Sequence, residues 1–294
     1  MEFIKNKNLK EMSWWKAGGH AELFCQPKTV EELKRALIWA KENQKHFSVL
    51  GGGTNVLISD KGIKGLVIST SKLNSCSTKK TENSLLITCG AGLLKAQLMK
   101  IFKTYKLSPA LFLSGLPGDV GGGVVMNAGV NRSFKPSEFS EIVKSFKVMN
   151  AESEKTYLKK DIKWSYRESL GWDKSVIYEV EFEWPLIEIT DINDEIKKEL
   201  KKRRASQPLD KASCGSVFKN PYPHFAGEVI EKSGLKGLKQ GSAQISEKHA
   251  NFIINTGNAK TIDIHKLIQI IKKRVFEKFS IHLETEVHYM GVWD

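Results

Sequence analysis

The sequence is poor in everything that would send a chain out of the cell or into a membrane. No apolar run reaches the roughly 18 residues of a membrane span, and the opening Met1-Glu-Phe-Ile-Lys-Asn-Lys7 lacks the apolar core of a signal peptide. Cysteine is scarce: Cys25, Cys76, Cys89 and Cys214 form no C-x-x-C pair and no metal-ligand spacing. Neither a disulfide framework nor a metal site is expected, and the thiols are read as reduced. The expectation is a cytoplasmic protein without membrane insertion. No internal repeat and no low-complexity tract is present. With 294 residues and 40% hydrophobic content, the chain is long enough for two domains or more.

Acidic residues are outnumbered, leaving a formal charge of +13. The basic residues are spread along the chain, with no basic arm and no RNP-like aromatic motif, which speaks against a nucleic-acid partner. A general positive field serves an anionic small substrate such as a nucleotide sugar equally well.

What the chain has in abundance is glycine, concentrated in Gly115-Leu-Pro-Gly-Asp-Val-Gly-Gly-Gly-Val-Val-Met-Asn-Ala-Gly129. Glycine costs backbone entropy on ordering, so this density needs a reason. A linker would be polar; this stretch carries Leu116, Val120, Val124, Val125 and Met126. It reads either as a tight turn packed in a core or as a backbone nest that holds a large or anionic ligand. A second cluster, Gly51-Gly-Gly-Thr-Asn-Val-Leu57, follows a short strand at 46–50 taken as buried. It is not a P-loop, because the Lys-Ser/Thr ending is missing. A third, Gly90-Ala-Gly92, starts like a dinucleotide fingerprint, but Lys95 occupies the last glycine position.

Periodicity supplies the frame. Thr29-Val-Glu-Glu32 is a capping box for a helix over 30–42, and strands follow at 46–50, 65–69 and 85–89. The next helix spans Leu93 to about Lys106, with Leu94, Leu98, Ile101 and Tyr105 as its apolar face. From Ser175 to Trp184 the pattern alternates, Val176, Tyr178, Val180, Phe182 and Trp184 on one face and Glu179, Glu181 and Glu183 on the other, a half-exposed antiparallel strand. A polar helix over 190–204 has acidic residues early and basic ones late, as its dipole favours. Helix 262–278 turns Ile264, Leu267, Ile268, Ile271 and Val275 inward, and a strand at 282–289 closes the pattern. A lobe ends near residue 72, and Gln207-Pro208 breaks the chain near 205.

Three segments carry candidate chemistry. Trp164-Ser-Tyr166-Arg167-Glu-Ser169 sets an arginine among aromatics, unless it is a surface residue paired with Glu168. Cys214-Gly-Ser216-Val-Phe-Lys219-Asn220-Pro221 offers a hydroxyl, a cation and an amide, unless it is a loop with proline-set turns; no G-x-S-x-G elbow surrounds Ser216. Glu284, Glu286 and His288 share one face of the last strand, either solvated or lining a cleft.

Together these motifs resemble the UDP-N-acetylenolpyruvoylglucosamine reductase (MurB) family. The resemblance rests on Gly51–Leu57, Gly115–Gly122 with Met126–Gly129, Tyr166–Ser169, Gly215–Pro221, and Glu284-Thr-Glu286-Val with Gly291, in that order along nearly the whole chain. The stretch from Trp184 to Arg203 leaves no room for the tyrosine-bearing loop of the longer subtype, so the compact subtype is implied. Lys16 stands where the family usually has Arg, and Asp119 where a small hydroxyl residue is common, which puts a negative charge near the phosphates.

The resemblance implies an α+β fold, with a two-lobed FAD-binding region of the PCMH or vanillyl-alcohol-oxidase-like kind and a smaller α/β substrate-binding domain. The corresponding boundaries are 1–72, 73–204 with 281–294 returning to it, and 205–280. FAD would be held noncovalently by Gly51, Gly52, Gly53, Thr54, Asn55, Val56 and Leu57, and by Gly115, Pro117, Gly118, Gly121, Gly122, Asn127, Ala128 and Gly129. No His lies in either loop to tether it, as it often does in the related FAD-linked oxidases and dehydrogenases of hydroxy acids or sugars that form the alternative reading. NADPH would reduce the flavin, and the enolpyruvyl double bond of the nucleotide sugar would take the hydride at C3. Arg167 would polarise the substrate carboxylate, Glu286 would orient Arg167 and hold the enol form, and Ser216 would protonate C2, with Cys214 the other candidate acid. Tyr166, Lys219 and Asn220 would bind substrate. A monomer is expected.

Overall fold

A computed structural model describes residues 1–130, 135–173 and 175–293. The chain sorts into two compact units, each assembled from distant pieces of sequence. Met1–Phe3, Phe24–Gly52 and Leu66–Lys202 make the first; Ile4–Leu23, Gly53–Gly65 and Arg203–Asp294 make the second. Ile4–Leu23 and Gly53–Gly65, which a reading in chain order assigns to the first lobe, therefore group with the C-terminal third.

In the first unit, helix Val30–Glu42 begins where its cap predicts. Thr29 Oγ1 accepts from the Glu32 amide at 3.2 Å. The Glu32 carboxylate reaches back to the Lys28 amide at 2.8 Å, one residue beyond the capping-box partner. Strand Phe47–Leu50 pairs in parallel with Leu66–Ser69. It is only half-buried, since Phe47 and Val49 stay exposed and Leu50 alone is enclosed.

Five antiparallel strands form the main sheet, in the spatial order Cys76–Lys80, Ser84–Gly90, Val176–Pro185, Val143–Met149, Glu154–Leu158. The central strand keeps the predicted alternation at Val180 and Phe182, and its glutamates meet Lys144 and Lys147 on the other face. A register shift between Ile177 and Glu179 brings Val176, Ile177 and Tyr178 all under cover, which strict alternation does not foresee.

Helix Lys95–Thr104 starts two residues later than expected, because the Lys95 amide bonds Gly118 O and the Leu94 amide bonds the Gln97 side chain. The phase of its buried face changes with it. Lys95, Leu98 and Phe102 point inward, and Leu94, expected inside, is half exposed. The glycine-rich stretch hides a short helix, Val120–Val125, that no propensity argument would place there.

The second unit is organised by helix Thr261–Phe279, whose Ile264, Leu267, Ile268, Ile271 and Val275 are fully buried as predicted. Asp60, in the loop after Gly51, caps it: its two carboxylate oxygens accept the Thr261 and Ile262 amides at 3.0 Å each. A small sheet joins Lys239–Gln240, Ala243–Ile245 and Ile253–Asn255. The expected strand 282–289 enters a ladder only at His288–Met290, which pairs in parallel with Val56–Ile58. Its predicted alternation survives without the ladder, with Leu283 and Val287 buried and Glu284 and His288 exposed.

Candidate active site

In the first unit the two glycine clusters meet. A Cβ on Gly51 would lie 2.5 Å from Asp119 Oδ2, and one on Gly52 would lie 2.9 Å from Gly118 Cα. Glycine at 51 thus makes room for the Asp119 carboxylate and glycine at 52 for the backbone of Gly118, needs the sequence suggests only as room for a ligand. Gly115 (φ +74°) and Gly118 (φ +88°) adopt backbone conformations that L side chains rarely take. Within the short helix the glycines divide their work. A Cβ on Gly121 would press on Ala91, and one on Gly123 would enter the Phe139 ring. Gly122 alone faces open space, with only Asp119 Oδ1 nearby, at 2.9 Å.

Asp119 accepts the Gly122 amide at 2.8 Å and so caps this helix. It is buried, and its Oδ2 has no hydrogen bond. Burial pushes its carboxyl above the usual range, against the pull of the Gly122 amide and of Lys95. Lys95 is buried too; its ammonium donates to Pro117 O at 3.0 Å and sits over the Phe139 ring. Burial, and secondarily Arg167, lower its pKa to about 8, while Asp119 opposes the fall. Sequence reasoning treats Lys95 only as a spoiled fingerprint; the signal available was a lysine at a position in phase with Leu98 and Phe102.

Asn127 is fully buried. Its amide donates to Ser165 O at 3.0 Å and accepts from the Ser140 amide at 2.9 Å, so both ends are bonded to protein. Through Ser165 it steadies the hairpin of Lys163–Ser165 and Glu168–Leu170. Tyr166 and Arg167 form the two-residue turn of that hairpin, and Arg167 has φ +61°. A non-glycine residue held there carries strain of about 1 kcal/mol or more, a feature that clusters at functional positions. The guanidinium stands 5.0 Å from the centre of the Tyr166 ring. Ala128 is partly exposed and Gly129 packs against Ser137 and Glu138.

In the second unit, the stretch carrying Ser216 lies between two neighbours. Ser216 bridges Phe252 on one side. On the other, the Glu286 amide donates to Val217 O at 2.8 Å and Phe218 bridges Thr285. Asn251 fixes this arrangement by bonding both the amide and the carbonyl of Phe218 at 2.9 Å. Ser216 and Glu286, 70 residues apart in sequence, thus lie on neighbouring extended segments. Gly53 to Leu57 belong to the same neighbourhood: Asn55 donates to Glu286 O at 3.0 Å, and His288 donates to Asn55 O at 3.0 Å. Thr54 and Val56 are partly exposed and Leu57 is buried.

An open cleft of about 590 Å3 is lined by Ser216, Asn220, Phe225, Lys248, His249 and Asn251 among others. The Asn220 side-chain oxygen Oδ1 accepts the Ala226 amide at 3.0 Å, at the start of helix Ala226–Lys232 in the cleft wall. Lys219 pairs with Glu284 at 2.6 Å, so it is not a free cation for a ligand. His249, absent from the sequence reading, accepts the Asn251 amide at Nδ1 (3.2 Å), which leaves its proton on Nε2. Burial and Lys236 lower its pKa. Gly227 makes room for it, since a Cβ there would stand 3.0 Å from His249 Cε1.

Cys214 is the weaker rival acid. It is buried, its thiol points at the carbonyls of Gly53 and Val56, and burial pushes it up to about 12. Among the described residues no group of three His, Cys, Asp or Glu could hold a metal ion.

Two family descriptions match the chain: an FAD binding domain over residues 21–156 and the C-terminal domain of UDP-N-acetylenolpyruvoylglucosamine reductase over residues 207–290. A UDP-N-acetylenolpyruvoylglucosamine reductase of Halalkalibacterium halodurans is 37% identical over 97% of this chain and 93% of its own length. One of Caldicellulosiruptor bescii is 38% identical over 100% of this chain and 92% of its own. The crystal structure of the Thermus caldophilus reductase superposes with a TM-score of 0.81 at 30% identity, over 98% of both chains.

Proposed function

This chain belongs to the UDP-N-acetylenolpyruvoylglucosamine reductase family, and we propose on that basis that it performs the NADPH-dependent, FAD-mediated reduction of UDP-N-acetylglucosamine enolpyruvate to UDP-N-acetylmuramate. It is a flavin oxidoreductase of peptidoglycan precursor synthesis with an α+β fold. The observation that carries this reading is relatedness along the whole chain, with the flavin and C-terminal domains in order. The alternative, an FAD-linked oxidase of hydroxy acids or sugars, is not favoured by relatives that are reductases from end to end.

The residues fit a flavin dinucleotide. Gly51, Gly52, Gly118 and Gly122 are all partly exposed, with no side chain of their own to hold a large ligand off the backbone. When bound, FAD supplies the relay that takes a hydride from NADPH and gives it to C3 of the enolpyruvyl group. Gly51 to Leu57 and the 115–129 stretch hold it, Asn127 by steadying the turn beneath rather than by touching it. Arg167, locked in its hairpin and backed by Tyr166, orients and polarises the substrate carboxylate with its planar fork. Negative charge that develops at C2 and on the carboxylate is stabilised there. The Ser216 hydroxyl delivers the proton to C2; a hydroxyl is a weak acid, but a carbanion is a strong base, so its placement decides. Glu286 holds the enol form. Residues 205–280 bind the nucleotide sugar, with Asn220 in the cleft wall and Lys219 bound to Glu284. The chain acts as a monomer in the cytoplasm, without nucleic acid; no described helix is long and apolar enough to cross a membrane.

The test is the visible spectrum of the purified protein. It should be yellow, bleach with NADPH, and regain its colour on addition of the enolpyruvyl nucleotide sugar. Recovery with hydroxy acids or sugars instead would overturn the assignment.

The Arg167 turn gives a second check. Arg167→Gly removes the strained φ while deleting the guanidinium. Turnover should fall by about 10²-fold or more, while thermal unfolding shows stability unchanged or raised by up to ~1 kcal/mol. A marked loss of stability would mean that Arg167 holds the hairpin together rather than being held by it.

A further inference from the structure

Lys95 and Asp119 are two ionisable groups buried together beneath the turn 115–122, and the chemistry assigned above uses neither of them. We infer that they act as a charge pair that tunes this turn for the dinucleotide: Asp119 shapes the helix end, and Lys95 cancels the negative charge that Asp119 would otherwise present to the pyrophosphate. The inference rests on the reading of 115–129 as the FAD site.

The backbone shows how closely the two segments are joined. The Lys95 amide donates to Gly118 O, the Val120 amide to Leu93 O and the Gly121 amide to Ala91 O, at 2.8–2.9 Å, and Leu94 bridges Asp119. Lys95 Nζ reaches past its own helix to Pro117 O. Asp119 spends one oxygen on the Gly122 amide and keeps Oδ2 buried without a hydrogen bond, next to Gly51. The two side chains do not touch through a direct ion pair; they act on each other through a water-poor interior, where screening is weak.

A lone carboxylate at this place would oppose what it helps build. Its cap fixes the start of the short helix and the turn before it, but its charge repels the anion that the turn is to hold. A protonated Lys95 removes the conflict by leaving the pair neutral. Among the described residues, the helices packed on that of Lys95, Pro109–Leu113 and Val120–Val125, carry no ionisable side chain. Arg167 is the other charge that Lys95 feels, and it makes the Lys95 proton easier to lose. Since the Lys95 pKa is lowered to about 8, raising the pH through 8 removes its proton and leaves Asp119 uncompensated. Cofactor affinity should then decline with alkalinity while the fold persists.

The experiment is flavin retention by the full-chain holoprotein, read as free-flavin fluorescence on serial dilution between pH 6.5 and 9.5. In the unsubstituted protein the FAD dissociation constant should rise above pH 8, by up to about tenfold per pH unit. Lys95→Met should weaken FAD at pH 7 by on the order of tenfold or more and flatten the pH profile. The double variant Lys95→Met/Asp119→Asn keeps a capping oxygen and carries no charge; it should recover affinity to within about threefold and stay flat. A merely structural lysine would not be rescued by neutralising its partner. A pH-independent dissociation constant in the unsubstituted protein, or a double variant that folds but binds FAD no better than Lys95→Met, overturns the inference. Failure of the unsubstituted protein to retain FAD at any pH would instead overturn the cofactor reading beneath it.

Discussion

Ser216→Ala is expected to stop the enzyme halfway through its cycle. Bleaching by NADPH should proceed at a nearly normal rate, because the Ser216 hydroxyl is not among the groups assigned to the flavin. Recovery of the yellow colour with the enolpyruvyl nucleotide sugar should slow by about 10²-fold or more, the usual worth of a positioned general acid. Stopped-flow absorbance separates the two halves. The loss should be one-sided because a proton to C2 is needed only once charge has formed there. Cys214→Ala is the control. Its thiol is buried against two carbonyls with its acidity suppressed, so both half-reactions should survive in whatever protein folds. Should Cys214→Ala block recovery while Ser216→Ala does not, the proton donor has been misassigned.

Gly122→Val and Gly123→Val should fail in different ways, although the two glycines are neighbours. A side chain at 123 would enter the Phe139 ring. That ring cannot yield, because it is fully buried edge-on between Phe112 and Phe182, 6.3 Å and 5.9 Å away. Overpacking of this kind costs about 3 kcal/mol, and Gly123→Val should show a lowered unfolding midpoint or accumulate insoluble. At 122 the added carbons meet only the Asp119 carboxylate and then open space. Gly122→Val should therefore fold, giving up about 1 kcal/mol of cap, and emerge colourless because the branched side chain stands where the cofactor approaches. Absorbance at flavin wavelengths together with thermal melts distinguishes the two. A folded, fully yellow Gly122→Val would remove the central loop from the flavin site.

The parts of this fold that local chemistry decides were legible in the sequence. Helix Thr261–Phe279 shows its buried face through spacing alone, and Thr29 marks the start of its helix because one hydroxyl can satisfy one orphan amide. The candidate residues Arg167, Ser216 and Glu286 were legible through motif resemblance. What escaped was whatever depends on distant partners. Lys95 is a buried residue of a type that belongs outside, and only Asp119, 24 positions on, makes its burial intelligible. Helix Val120–Val125 is written in glycine, the residue least suited to a helix, since its neighbours Ala91 and Phe139 leave no room for a Cβ. The glycines of 51 and 52 looked like room for a ligand and are equally room for the Asp119 carboxylate and the Gly118 backbone. His249 carried no periodic or motif signal; a glycine at 227 to accommodate it was the trace it left.

The second unit cannot be finished early. Trp15 has its indole on Ile253 O at 2.7 Å, and its carbonyl accepts from the Asn255 side-chain Nδ2 at 2.8 Å. Val56–Ile58 has its ladder partner at His288–Met290. On the ribosome, the residues of Ile4–Leu23 and Gly53–Gly65 emerge long before these partners exist. At elongation rates of about 5–20 residues per second, they wait some ten seconds or more with buried-type side chains such as Trp15 and Leu57 still wet. The intervening Leu66–Lys202, whose main sheet is built entirely from its own strands, has all its partners by then. The nascent protein is thus a formed centre flanked by an unfinished periphery, and the newly made chain is most in need of chaperone cover just before its last strand is added.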